Sequence, residues 1–308
     1  MAAPDDPSQE RSGQNPGARA PEMPTDEFHT IDDRLTGQRV VVIANRQKRP
    51  NLPQSGCPFC PGGLESPEKY VTSWFANRWP ALPDQRAEVV LYTPEHTATL
   101  ASLGETGVRR VVELWAQRYE ALGARDDVAY VLEFENRGPE VGATIAHPHG
   151  QIYAFDHVPA FPARELAMAG PCALCEPPPA PNIVSRTGSW TAWVPEAAVW
   201  PYELRIAPDG HVPHLPAAAP SWDDLASVLV DGFGRLDRLF DAPMPYMMFW
   251  HQQPTDGQAW PKAHVHLHVT PLLRAPGVAR FVAAAEWGAE EFFNPVPPET
   301  AAANLRGV

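Results

Sequence analysis

The stretch richest in reactive side chains is His147-Pro148-His149-Gly150-Gln151, followed by the apolar run Ile152-Tyr153-Ala154-Phe155. In an extended segment side chains alternate, so two imidazoles and an amide at i, i+2 and i+4 share one face. Imidazole is a common metal ligand and a nucleophile near neutral pH. Such a row can anchor a metal, attack an electrophile and hydrogen-bond the oxygens of an adduct. The plain alternative is a His-rich turn with no chemistry.

Two further sets of reactive residues accompany it. Four cysteines fall as two C-x-x-C pairs, Cys57/Cys60 and Cys172/Cys175. In a reducing compartment this spacing favours metal over disulfide. Cys57 and Cys60 with His96 and His147 make a Cys2His2 set, a closed tetrahedral zinc site of structural type. Such a site ties the cysteine turn to the strand that carries His149 and leaves His149 and Gln151 facing a pocket. Cys172, Cys175, His211 and His264 make a second set of the same kind. The alternative for either is ordinary core or loop cysteines.

These landmarks repeat at one offset. Cys57 and Cys172, Cys60 and Cys175, His96 and His211, and Asn136 and His251 are each 115 residues apart, and His147 and His264 are 117 apart. The chain therefore reads as a tandem duplication of one α+β unit, each half contributing an antiparallel sheet flanked by helices.

The elements that must position these groups are short. Residues 39–44 read as a buried strand, 71–75 and 87–93 as strands, and 128–135 as a strand ending in Asn136. Val108, Val111, Val112, Trp115, Tyr119 and Leu122 recur at helical spacing. In the second half a short helix over 163–168 precedes strands over 191–194 and 203–207. Ser221-Trp222-Asp223-Asp224 resembles a capping-box start to a helix with Leu225, Val228, Leu229, Leu236 and Phe240 on its apolar face. A strand over 246–250, the row His264-Val265-His266-Leu267-His268 and a helical tail complete the chain.

Bulk properties narrow the function. With 308 residues, 44% hydrophobic and 20% charged, the chain is globular. A net charge of -13 argues against a nucleic-acid partner. There is no signal-peptide pattern and no long apolar run, so no membrane association is expected and the setting reads as cytoplasmic. Residues 1–24, rich in Pro, Gly, Ser and acid, are expected to be disordered. The basic cluster Arg46-Gln47-Lys48-Arg49 is either a solvated loop or a phosphate-holding element.

Taken together, Cys57-x-x-Cys60, Phe75-Ala76-Asn77, His96, Asn136, His147-Pro148-His149-Gly150-Gln151, Trp200-Pro201-Tyr202-Glu203 and Pro245-Tyr246-Met247-Met248 resemble the galactose-1-phosphate uridylyltransferase family, a branch of the histidine-triad superfamily. The resemblance runs from about Leu35 to Arg306. It implies a tandem histidine-triad-like fold, with residues 25–158 carrying the nucleophile and zinc and residues 159–308 carrying a second metal group. It also implies exchange of UMP between UDP-glucose and a hexose-1-phosphate, galactose-1-phosphate in the first place, by a ping-pong route through uridylyl-His149.

Gln151 stands where hydrolytic relatives carry a third His. An amide donates hydrogen bonds but shuttles no proton, which suits a long-lived adduct. By the same resemblance Arg46, Arg49 and Asn136 hold phosphates and sugar, Asn77 contacts the nucleotide, and Thr144 faces phosphate. Glu165, His251, His266 and His268 hold iron or a second zinc. A homodimer is implied as well. Arg78, Arg280, Ala285 and Phe292 depart from the family pattern, which leaves the hexose and the base open. Two other readings stand beside this one: a nucleotide-sugar or dinucleoside-polyphosphate phosphorylase, and a non-catalytic, metal-stapled nucleotide-binding module.

Overall fold

The computed structural model describes Gly13–Gln14, residues 28–44, Arg46 and residues 56–308. Most of the tail expected to be disordered lies outside the described residues. Within it, Gly13–Gln14 departs from that expectation by pairing as a strand.

One ten-stranded sheet organises the chain. In chain order its strands are β1 (Gly13–Gln14), β4 (Ser73–Ala76), β5 (Ala87–Leu91), β6 (Tyr130–Arg137), β7 (His149–Phe155), β8 (Ile183–Thr187), β9 (Trp190–Trp193), β10 (Leu204–Pro208), β11 (Tyr246–His251) and β12 (His266–Pro271). Two small hairpins stand apart from it, β2 (Phe28–Asp32) with β3 (Arg39–Ile43), and β13 (Leu273–Ala275) with β14 (Val278–Ala279). Strand β3 was expected to be buried. It lies instead in its own hairpin with Val40 and Val42 exposed, because a two-stranded ribbon has no second layer to cover it.

The duplication is legible in the strand order, β1-β4-β5-β7-β6-β11-β12-β10-β9-β8. Strands β4, β5, β7 and β6 mirror β9, β10, β12 and β11, so the two expected sheets are halves of one, joined at the antiparallel β6–β11 pair. Phe134 pairs there with Phe249, the residue 115 positions on, so each half meets its own duplicate and a local two-fold axis passes between the two phenylalanines.

Alternation then sorts the side chains. One face is covered by α1 (Gly104–Gly123) and α3 (Trp222–Leu239), equivalent helices that pack on each other. Val108, Val111, Val112, Trp115, Tyr119 and Leu122 of α1 are buried, as are Leu225, Val228, Leu229 and Leu236 of α3. The helical periodicity of both halves thus becomes one shared core with Val131, Ile152, Trp250 and Leu267. The expected capping box at Ser221 does not form. Its hydroxyl donates to Ala218 O and accepts from Trp190 Nε1, because a 3-10 turn over Leu215–Ser221 leads into α3.

Candidate active site and metal centres

The uncovered face of the sheet carries the reactive groups. Along β7, His149, Gln151, Tyr153 and Phe155 are partly exposed, while Gly150, Ile152 and Ala154 are buried against the helices. A Cβ on Gly150 would lie 2.3 Å from Tyr92 Oη, so only glycine lets this strand sit on the core at that point. His149 and Gln151 therefore share one face, as alternation requires. Phe134 lies opposite Gln151 in the ladder, and Asn136, two residues along β6, projects on the same side.

Hydrogen bonds fix the chemical character of both side chains. His149 Nδ1 lies 2.8 Å from the carbonyl oxygen of His147. Only a protonated Nδ1 can donate there, so the neutral ring carries its lone pair on Nε2. The backbone N–H of Trp79 donates to Asn77 Oδ1 at 2.9 Å, which turns the Asn77 amide nitrogen toward Gln151 Oε1 at 3.4 Å. With its oxygen engaged, Gln151 has its NH2 group to offer as a donor. The Phe59 ring packs at 61° to His149 with centroids 5.0 Å apart and limits the ring's freedom.

Behind His149 the first Cys2His2 set is assembled. Ligand atoms of Cys57, Cys60, His96 and His147 all lie within 4.8 Å of one another. Cys60 Sγ is 3.6 Å from both His96 Nδ1 and His147 Nδ1. Zn–S and Zn–N bonds of ordinary length make a tetrahedron whose S···N edge is about 3.6 Å, so these residues fit zinc. His147 is fully buried, and burial holds its pKa below the ordinary imidazole value, in the neutral form a metal requires. Its Nε2–H donates to Thr93 O at 2.7 Å, which directs Nδ1 at the cysteines.

The second half repeats this geometry residue by residue. Cys172, Cys175, His211 and His264 come equally close. Cys172 Sγ lies 3.4 Å from His264 Nδ1, and Cys175 Sγ lies 3.3 Å from His211 Nδ1. His264 Nε2 points to Pro208 O at 3.1 Å, the carbonyl 115 residues after Thr93. Burial holds His264 down at about 4. His266 Nδ1 lies 2.7 Å from His264 O, the counterpart of the His149 contact, so its Nε2 too is turned outward.

In this half a carboxylate meets that nitrogen. Glu165, on helix α2 (Ala160–Ala167), gathers His251, His266 and His268. Its oxygens lie 2.6 Å from His251 Nδ1, 3.5 Å from His266 Nε2 and 3.3 Å from His268 Nε2. Burial would raise the Glu165 carboxyl, but the three imidazoles hold it well below the usual carboxylate range. Burial likewise lowers His251 and His268, and His268 Nε2 is sequestered without an aligned hydrogen bond. One anionic oxygen donor and three imidazole nitrogens converging this way fit a divalent cation.

All three sets expected to bind metal are thus brought together, though the other expected site residues fare unequally. Asn77 and Asn136 join the His149 face, and Thr144 is half-buried in the segment leading to β7. Arg46 follows the separate β2–β3 hairpin, and Arg49 lies outside the described residues. Arg280 is buried, pairs with Glu286 at 2.5 Å and lies over the Trp200 ring. Sequence reasoning missed Phe59, Trp79 and Tyr70. The Tyr70 hydroxyl donates to Phe59 O at 2.7 Å and braces the cysteine turn, and only the position of Phe59 inside the C-x-x-C pair hinted at a role.

Fold and site together define a duplicated histidine-triad-like α+β protein. The family profile described as galactose-1-phosphate uridyl transferase, N-terminal domain, matches residues 68–159, and its C-terminal counterpart matches residues 147–308. The chain belongs to that family. A galactose-1-phosphate uridylyltransferase of Thermotoga maritima is 36% identical, with 88% of this chain and 96% of the relative covered. A solved structure of a uridylyltransferase superposes with a TM-score of 0.82 at 29% identity, covering 90% of this chain and 97% of that one. An ADP-glucose phosphorylase of Arabidopsis thaliana is 27% identical over 90% of this chain and 92% of its own.

Proposed function

We propose that this chain is a nucleotidyltransferase that exchanges UMP between UDP-glucose and galactose-1-phosphate through a covalent adduct on His149. The observation that carries the reading is the His149 Nδ1 contact with His147 O, which puts the lone pair on Nε2 of a ring that shares its strand face with Gln151. Nε2 attacks the α-phosphorus, the bond to the bridging oxygen breaks, and glucose-1-phosphate leaves. The ring becomes a uridylyl-imidazolium whose charge faces the His147 carbonyl. Galactose-1-phosphate then attacks phosphorus through a phosphate oxygen, the N–P bond breaks, and UDP-galactose departs. Glucose-1-phosphate departs as an anion and the His149 ring as a neutral imidazole, so neither step needs a general acid, which accords with Gln rather than His at position 151. Gln151 donates to the non-bridging oxygens, and Asn77 holds it in that orientation.

Zinc in the two Cys2His2 sets, and zinc or iron in the Glu165 set, belongs to the same reading. The first set positions His147 and through it His149, and metal analysis of purified protein tests all three. Arg46, Arg49, Asn136 and Thr144 serve substrate phosphates and sugar. A cytoplasmic setting accords with four cysteines that form no disulfide. A homodimer accords with Phe281, Trp287 and Phe293, which stand 81%, 75% and 67% exposed along one segment, and light scattering tests it.

The decisive experiment mixes the protein with UDP-glucose and then with ADP-glucose and follows its mass. A gain of one UMP localised to His149 is expected, discharged by galactose-1-phosphate. The likeness to an ADP-glucose phosphorylase supports a second reading, in which inorganic phosphate is the acceptor. Discharge of the adduct only by inorganic phosphate, or an AMP adduct alone, selects that reading.

A further inference from the structure

The local two-fold symmetry of the sheet gives the second half a counterpart of the His149 surface. That counterpart holds a cavity of about 280 Å³ lined by Arg205, His251, His266 and Lys262, with Leu166 and Leu174 among its apolar walls. Arg205 enters from β10, directly opposite His268 in the ladder and so on the same face of the sheet. Its guanidinium forms no hydrogen bond or ion pair among the described residues, and its Nε is buried without a partner. By contrast, Arg118 pairs with Glu88, Arg137 with Asp237 and Arg280 with Glu286. The carboxylate of the cavity wall, Glu165, is engaged by three imidazoles. Lys262 brings a second positive charge, held at the cavity by its bond to Met168 O. Glu203, two residues before Arg205, feels the Arg205 charge, but its carboxylate accepts from the Val199 and Trp200 N–H groups and not from the guanidinium, whose donors stay open to a ligand.

We propose that this cavity is a second ligand site, for a phosphate monoester, distinct from the His149 site. The planar guanidinium fork of Arg205 matches two phosphate oxygens, the Lys262 ammonium adds charge, and the apolar wall receives the organic body beyond the phosphate. Binding involves no bond making, and it depends neither on the transferase reading nor on which ion the Glu165 set holds.

Phenylglyoxal, which condenses with accessible guanidinium groups, tests this on the metal-loaded full chain. Labelling of Arg205 is followed by peptide mass spectrometry with inorganic phosphate, UMP or AMP added at constant ionic strength. At a ligand concentration ten times Kd, labelling slows about tenfold, while chloride has no effect. Equal protection by all three identifies a bare phosphate site, and stronger protection by a nucleotide identifies a nucleotide pocket. Labelling of Arg205 that is absent, or indifferent to all three, overturns the proposal. So does an Arg205→Met chain that keeps its metal and still binds wild-type equivalents of UMP by calorimetry. The transferase reading fails by a different readout, the absence of an adduct on His149.

Discussion

At the scale of single residues, the site rests on proton placement. His149→Gln removes the proposed nucleophile from a partly exposed position. Transfer of labelled UMP is expected to fall by about three orders of magnitude or more, with the melting temperature and bound metal unchanged. The Trp79–Asn77–Gln151 chain makes a sharper prediction. Asn77→Asp puts an acceptor where Gln151 Oε1 needs a donor, so the Gln151 amide turns over and its NH2 group is withdrawn from the phosphate. A loss of about tenfold to a hundredfold in turnover is expected, read by pre-steady-state adduct formation. Gly150→Ala drives a methyl into Tyr92 Oη and is expected to cost about 1–3 kcal/mol. Adding Tyr92→Phe removes the nearest atom and recovers part of that loss in denaturant melts, whereas strictly additive losses would discount the contact.

Among the elements, the Cys57–Cys60 turn and β7 are linked through His147. Cys60→Ala is expected to release one metal equivalent and lower the melting temperature by on the order of 10 °C. Adduct formation should fall with it, because His147 no longer holds its carbonyl beneath His149. A variant with full metal content and full activity would show that the turn plays no part in the site. The periodicity of α1 and α3 marked both helices from the sequence, because buried positions on a helix repeat every three or four residues. Strands β2 and β8 left no comparable mark. They are short edge or hairpin strands whose burial pattern does not alternate cleanly.

For the whole molecule, the pairing of two halves places carboxyls in the shared core. Glu133 and Glu135 project from β6 toward the helices and are buried. Burial raises Glu133 to about 8 and Glu135 to about 7, the former despite a bond from Gln252 and the latter despite one from Tyr246. The folded chain therefore holds protons that the unfolded chain releases near the ordinary glutamate value. Their contribution is fully present below that value and is lost as pH rises through the folded values. Glu133→Gln cannot ionise, so its melting temperature should fall less than wild type between pH 5 and pH 8. The difference in unfolding free energy should reach on the order of a few kcal/mol at the upper end. Parallel pH profiles would exclude a buried, protonated Glu133.

By itself the sequence determined the duplication, the two Cys2His2 groupings and the face shared by His149 and Gln151, whereas the Glu165 grouping came only through the family resemblance. The first three follow from spacing, and spacing along a strand or between repeats survives folding. Tertiary structure alone decided that the two halves merge at Phe134 and Phe249, that Trp79 sets the Asn77 and Gln151 amides, and that Arg205 lines a cavity with no hydrogen bond among the described residues. Those outcomes depend on which residues meet across strands distant in the chain. No local pattern encodes such meetings, because the hydrogen bonds and charges that settle them come from both halves at once.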